Sequence, residues 1–430
     1  MAAQRITHSL NRSIGNKVER QGTRRRIFRR VLCLFLAVFV SLCVAICHIS
    51  LHAHVDLLED TIIPPGTSKS ITQPAQSGPV TRKETGTGTT SSSRFVINTV
   101  VLPSVVNTKG REKRLDSITE TWATPTNAIY VTHPGTDSDY SIPPPPTPSS
   151  VSSKYPQILS IPPNIATEEQ GVPRLQYVIE QIYKEYNPDF CFFANDHTFI
   201  IPQHLYKYLD DIQANPDEHL YAGHALRPKN QKGTQYAFNS GASGYFLSRK
   251  SMQTLTEKWN SGDEICQGSG NKWLQGNPGL LTAECLKSFG VDPVDSRDQE
   301  NKRHVFHAFG LVRVVKNEVD SWYHQKHEDL GEILGEDETY HHELQKGEAC
   351  CSSNTVSFHY VEHAETRALW ATLEAIRRNP EIKDEMLQQF MISHWPQEKK
   401  DVGGYAQHLP PLEKKDTWSD LLHVVRNIAK

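Results

Sequence analysis

Apolar positions are unevenly distributed along the 430-residue chain. Their first concentration, VLCLFLAVFVSLCVAICHISL over residues 31–51, contains no Lys, Arg, Asp or Glu. About 20 residues of helix cross a hydrocarbon core of roughly 30 Å, so this run predicts one membrane-spanning helix. Residues 52–93 carry little apolar pattern, and PPGTSKSITQPAQSGPVTRKETGTGTTSSS reads as a disordered stem. The pattern changes at Arg94. FVINTVVLPSV reads as a buried strand, RLDSITETWA as a helix with Leu115, Ile118 and Trp122 on one face, and NAIYVTH as a second strand. SIPPPPTPSSVSS (141–153) can be neither helix nor central strand. RLQYVIEQIYKEY is an amphipathic helix, DFCFFAN a strand, and HTFIIPQHLYKYLDDI a strand running into a helix. Strands alternating with helices predict an α/β domain over 94–395 with a mainly parallel sheet and flanking helices. Residues 396–430 read as a polar C-terminal tail in which WSDLLHVVRNIA could form a short helix.

Charge orients the anchor. Residues 1–30 form a basic tail (Arg5, Arg12, Lys17, Arg20, Arg24, Arg25, Arg26, Arg29 and Arg30 against Glu19), which the positive-inside rule leaves in the cytosol. The length of the apolar run, the long basic segment and the lack of a small-x-small site disfavour a cleaved signal peptide. The reading is a single-pass type II membrane protein of the secretory pathway with its folded domain in the lumen. The formal net charge of -3 gives no ground for a nucleic-acid partner. A lumenal domain permits disulfides. Of the cysteines after the apolar run (Cys191, Cys266, Cys285, Cys350 and Cys351), Cys266, Cys285, Cys350 and Cys351 are the disulfide candidates. The odd number leaves one thiol free or bonded to another chain. Adjacent cysteines rarely pair, so Cys350 and Cys351 are each expected to reach elsewhere.

In a parallel sheet ligands sit at the carboxyl ends of the strands, which directs attention to the end of DFCFFAN. Asn195, Asp196 and His197 lie there. Asp and His both ligate divalent metals, while Asn and Asp also favour turns for local hydrogen-bonding reasons. FNSGASGYFLSRKSM (238–252) places Gly241 and Gly244 before a strand, where small residues let a ligand or another backbone approach closely.

Six segments together resemble one family: RLDSITETWA, DFCFFANDHTFIIPQHL, LYAGHALR, FNSGASGYFLSRKSM, ECLKSFGVDPVDSRD through RHVFHAFG, and CCSSNTVSFHYVEH. In that order they look like the beta-1,3-glycosyltransferases, most closely the core 1 beta-1,3-galactosyltransferases and their chaperone homologue. The resemblance implies a glycosyltransferase-A type domain. It implies inverting transfer of galactose from UDP-galactose to O3 of N-acetylgalactosamine on a glycoprotein acceptor, with Mn²⁺ holding the diphosphate. It places Asp196, His197 and His307 at the metal, with a core or cap position as the other reading of His307, and Asn195, Asp196, Gly241 and Gly244 at the donor. Trp322 and Tyr323 could stack on an acceptor sugar ring or belong to the buried core. Two departures stand out. The family's acid triplet is here Asn195-Asp196-His197, and its base-bearing Glu-Asp pair is Pro278-Gly279. Glu284 is the nearest carboxylate to inherit the base role, with Asp263 and Glu264 behind it. His359 reads as a ligand or an orienting residue, and Asp295 and Asp298 as acceptor contacts or loop partners of Arg297. The alternative is a catalytically silent homologue acting as a chaperone or sugar-binding protein. A second copy of the chain or a chaperone is a further candidate partner.

Overall fold

The computed structural model describes residues 95–103, 110–132, 156–165, 171–228, 237–269, 271–321, 323, 327–328, 344–396 and 407–430. The basic tail, the apolar run, the stem and the proline-rich 141–153 segment lie outside the described residues. No helix among the described residues is long and apolar enough to cross a membrane.

The central sheet has six strands. β1 (Ile97–Leu102), β2 (Ala128–Thr132), β3 (Gln157–Ser160) and β4 (Phe190–Asn195) run parallel. Two antiparallel strands extend it past β4, giving the order β3-β2-β1-β4-β9-β6. Of these, β6 is Tyr221–Gly223 and β9 is Tyr245–Ser248. The sheet is mixed and mainly parallel, as the alternating pattern predicts. Its central strands are near-continuous apolar runs because both faces are covered. Side chains along β4 alternate between two cores: Phe190, Phe192 and Ala194 enter one, Cys191 and Phe193 the other.

On the first face pack α1 (Arg111–Glu120), whose Leu115 and Ile118 are buried, and α3 (Pro202–Asp211), which starts with Pro at a position where no N–H is needed. On the second face lie α2 (Gly171–Gln181), α4 (Arg249–Ser261), α5 (Lys272–Gly276) and α6 (Pro278–Lys287). The α4 helix has a complete set of end signals: the Ser248 hydroxyl accepts from Ser251 N–H, and Gly262 closes it at φ 72°. Cys266 and Cys285 form a disulfide that ties the loop after α4 to α6.

A second, three-stranded sheet sits against the first core, with β10 (Phe306–His307) parallel to β12 (Ser357–Phe358), and β12 antiparallel to β5 (Phe199–Ile200). It joins the end of β4 to the C-terminal half of the chain. The remaining small sheet, β11-β7-β8, combines β7 (Ala225–Pro228), β8 (Phe238–Asn239) and β11 (His327–Glu328). The α7 helix (Leu311–Lys316) follows β10.

Two sequence expectations are corrected. Cys350 and Cys351 are bonded to each other, and both are buried, so neither reaches another segment. Among the described residues Cys191 is the free thiol, buried in β4. The second correction concerns the C-terminus. The α8 (His363–Arg378), α9 (Asp384–His394) and α10 (Lys415–Ala429) helices pack together, and the last buries Trp418, Leu421, Leu422, Val424, Val425 and Ile428 in the first core. Residues 407–430 are thus part of the fold. Their charged face made the segment look like a tail, while the apolar stripe at helical spacing is what docks.

Gly244 illustrates how tightly the strands are set. It has φ 80°, and an added Cβ would lie 2.4 Å from a ring carbon of Phe192. Gly241 has open space, its nearest neighbour being a Tyr245 ring carbon at 4.0 Å. Chemical denaturation should therefore show Gly244→Ala losing about 2–4 kcal/mol of stability, from a left-handed backbone and overpacking combined. Gly241→Ala should stay within about 0.5 kcal/mol of the parent.

Candidate functional site

The turn after β4 is built by its own side chains. Asn195 Oδ1 accepts from His197 N–H at 2.8 Å and lies 3.0 Å from Thr198 Oγ1. This is an Asx-type turn, the local role that Asn at a strand end predicts. Thr198 Oγ1 also donates to the Ala242 carbonyl at 3.0 Å, which draws the FNSGASG segment onto the turn. On the other side the Asn195 amide Nδ2 lies 3.1 Å from His359 Nε2, and Val361 N–H donates to the His197 carbonyl at 2.9 Å.

Inside the turn lies a buried charged cluster. Arg114 of α1 donates from Nε to Asp196 Oδ2 at 2.8 Å, and its Nη1 is 3.9 Å from Glu362 Oε2. All three side chains are 2 % exposed or less. His197 Nδ1 is 3.6 Å from Glu362 Oε1, too long for a hydrogen bond. Burial holds the His197 pKa down at about 4, so the imidazole is neutral at pH 7 and adds no charge. Burial likewise raises Glu362, partly offset by Arg114. Glu362 is positioned by α8: its N–H donates to Glu365 Oε2 at 3.0 Å, and its carbonyl accepts from Thr366 N–H.

Glu365 is held in turn by Gln407, which donates to it from both its backbone N–H and its amide Nε2. The Gln407 amide also donates to the Tyr360 carbonyl at 3.1 Å, and its Oε1 accepts from Val312 N–H at 3.1 Å. Gly310 has no side chain because one would collide with Gln407, at 2.0 Å from its Nε2.

The remaining sequence-derived candidates fall in several places. His307 is fully buried, stacks on Phe358, and pairs through Nε2 with Thr355 Oγ1 at 3.2 Å. Burial depresses its pKa to about 3. Its carbonyl accepts from His359 N–H, so His307 reaches the cluster through the backbone of the second sheet. Tyr323 is fully buried and shares a hydrogen bond with His224 at 2.7 Å, so its ring faces protein. Trp322 lies outside the described residues. Glu284 sits on α6 beside the Cys266–Cys285 bridge, half-buried, with Oε2 making no hydrogen bond and its pKa raised by burial. Pro278 and Gly279 open the same helix and carry no proton acceptor. Asp263 caps the loop after α4, accepting from Ile265 N–H, and its neighbour Glu264 lies in the same loop. Asp295 pairs with Arg297 at 2.8 Å. Arg297 and Asp298 line a polar cleft of about 670 Å³ together with Lys207, Asn301, Arg303 and Asn354.

This donor set does not suit Mn²⁺. Among the described residues no three His, Cys, Asp or Glu side chains lie together as a metal group. Asp196 is engaged by a guanidinium, and His307 is held by Thr355. A guanidinium and a divalent ion about 4 Å apart repel by roughly 8 kcal/mol at an effective dielectric constant of about 20. Arg114, Glu362, Glu365 and Gln407 were not singled out by sequence reasoning. Only Glu365 had a signal, an acid three residues after an acid at the head of an amphipathic helix, close to capping-box spacing.

No family model matches the chain. It is similar to the glycoprotein-N-acetylgalactosamine 3-beta-galactosyltransferase 1 of Xenopus laevis, with 27% identity over 177 residues. That stretch covers 40% of this chain and 42% of the frog protein, so the chain spans less than half the length of the relative it matches. The similarity agrees with the beta-1,3-glycosyltransferase relationship that the six segments point to, and supports a transferase relationship at a coarse level.

Two outcomes follow from the cluster. Arg114→Met leaves buried carboxylates without their counter-charge and should lower unfolding stability by about 3–5 kcal/mol. Adding Asp196→Leu should recover part of that loss. Glu365 has its pKa raised from 4.5 to about 8, mainly by burial. Between those values the folded state keeps a proton that the unfolded chain releases, so stability should fall as pH rises from 4.5 to about 8 and level off above. A Tm–pH series should show this decline flattened in Glu365→Gln.

Proposed function

We propose that the protein is a glycosyltransferase that moves galactose from UDP-galactose to O3 of N-acetylgalactosamine on O-glycosylated proteins. The observation that carries this reading is the position of the Asn195–His197 turn. It lies at the carboxyl end of the central parallel strand, where open α/β sheets receive ligands, and the 238–244 segment and the 359–362 segment both close on it. The similarity to a galactosyltransferase supports the same reading. On it, the N-terminal apolar run anchors the chain in a Golgi or ER membrane, and the stem lets the domain reach membrane-delivered glycoproteins.

Transfer requires a group that accepts the acceptor hydroxyl's proton, and a carboxylate with a raised pKa near the working pH is suited to it. Burial raises the Glu284 pKa above its ordinary carboxylate value, and its Oε2 makes no hydrogen bond. A second reading, a silent homologue acting as a chaperone or sugar-binding protein, is favoured by one feature. The sole acid of the turn is tied to Arg114, and the helix start that carries the base in the resembled family is Pro278-Gly279.

A UDP-release assay separates the two. The full chain is given UDP-galactose and a GalNAc-threonine peptide. Acceptor-dependent release, reduced by at least about tenfold in Glu284→Gln, is the expected result for general-base loss. A folded protein that releases no UDP with any sugar donor supports the silent reading instead.

A further inference from the structure

The resembled family uses a divalent cation at the strand end, and this chain's residues do not fit one there. From that disagreement we infer that Arg114 is the permanent counter-cation of Asp196, so that the site works without a divalent metal. The inference rests on the transferase reading only for its consequence in turnover. The assignment itself concerns the resting charge of the cluster.

Three observations carry it. The guanidinium Nε is 2.8 Å from the Asp196 carboxylate, a charge-assisted hydrogen bond. The pair is sealed, with side chains 2 % and 0 % exposed, so exchange of Arg114 for a hydrated cation would require opening the α1–β4 junction. The second carboxylate, Glu362, lies 3.9 Å from Nη1 of the same guanidinium, so Arg114 contacts both acids. A cation entering between Asp196 and Glu362 would therefore have to take the volume that Arg114 fills. His197 Nδ1 lies 3.6 Å from Glu362 Oε1, so the guanidinium stands among the side chains that a metal would need as ligands.

This arrangement makes Arg114 the residue that keeps metal out. Its removal would leave the Asp196 and Glu362 carboxylates, the ligand type that suits Mn²⁺, facing a vacated space beside His197.

The test uses the full chain and Mn²⁺ itself. Electron paramagnetic resonance follows free Mn²⁺ during titration, with and without UDP, against a UDP–Mn²⁺ control lacking protein. The expected result is no loss of free-ion signal on adding wild-type protein, and no Mn²⁺-dependent rise in Tm. Arg114→Ala that remains folded should gain Mn²⁺ binding, and a folded Arg114→Ala that binds none contradicts the exclusion role. Stoichiometric binding to wild type that disappears in Asp196→Asn would overturn the inference. Binding that persists in Asp196→Asn lies elsewhere and leaves it standing. UDP release is then measured with EDTA. Release that EDTA does not diminish supports the inference. Release abolished by EDTA, together with Asp196-dependent Mn²⁺ binding, overturns it while leaving the transferase reading intact. Absence of release under both conditions, with no Mn²⁺ bound, sinks the transferase reading and leaves the metal assignment standing.

Discussion

The contact between the Arg114 guanidinium and the Asp196 carboxylate constrains everything around it. Two charges this deeply buried are tolerated only as a pair, because each alone would carry the full desolvation penalty. The pair fixes α1 against the end of β4, and through Glu362 it fixes the start of α8 against both. Segments far apart in sequence thereby meet at one point of the sheet. The geometry of the candidate site is a consequence of satisfying that charge cluster as much as of packing the apolar faces.

Much of the scaffold was legible in the sequence, for a physical reason. Strands covered on both faces must be apolar at nearly every position, and DFCFFAN and FVINTVVL have that composition. Helices on the sheet need one stripe only, which RLQYVIEQIYKEY displays. The C-terminal helix was readable in WSDLLHVVRNIA, but its docking was not, because the polar residues around it hid the stripe of Trp418, Leu421 and Val425 that enters the core. The vicinal Cys350–Cys351 bridge went against a general tendency that local spacing could not overrule. The turn at Asn195 was readable, since its hydrogen bonds are local. Arg114 and Glu362 were not, because a long-range ion pair leaves no periodicity and no spacing rule.

The chemistry of the turn pulls in two directions. Its location suits a ligand site at the edge of a parallel sheet, and the distant relative transfers galactose. Its residues are not those of a metal centre, for the surviving acid already has its counter-ion. A transferase can reconcile these only if the leaving diphosphate is stabilised by fixed donors such as backbone amides or side-chain dipoles. A chaperone or lectin needs no such stabilisation and would keep the cluster for stability alone. The location of the turn is common to both readings. Its electrostatics distinguish them.

The cluster also explains why the C-terminal segment belongs to the same structural unit as the end of β4. Gln407 binds Glu365 from its backbone and its side chain, and Glu365 in turn receives the Glu362 N–H. Glu362 then faces Arg114 and His197. Gly310 is bare because Gln407 occupies the space a side chain would need, so α7 and the C-terminal segment are fitted to each other. Each link is a hydrogen bond or close contact between buried groups, where leaving a donor unpaired is costly. Displacing Gln407 would therefore unsettle Glu365 first and the strand-end cluster after it. The last part of the chain thus supports the charge balance of a site whose central residue, Asp196, lies more than two hundred positions earlier.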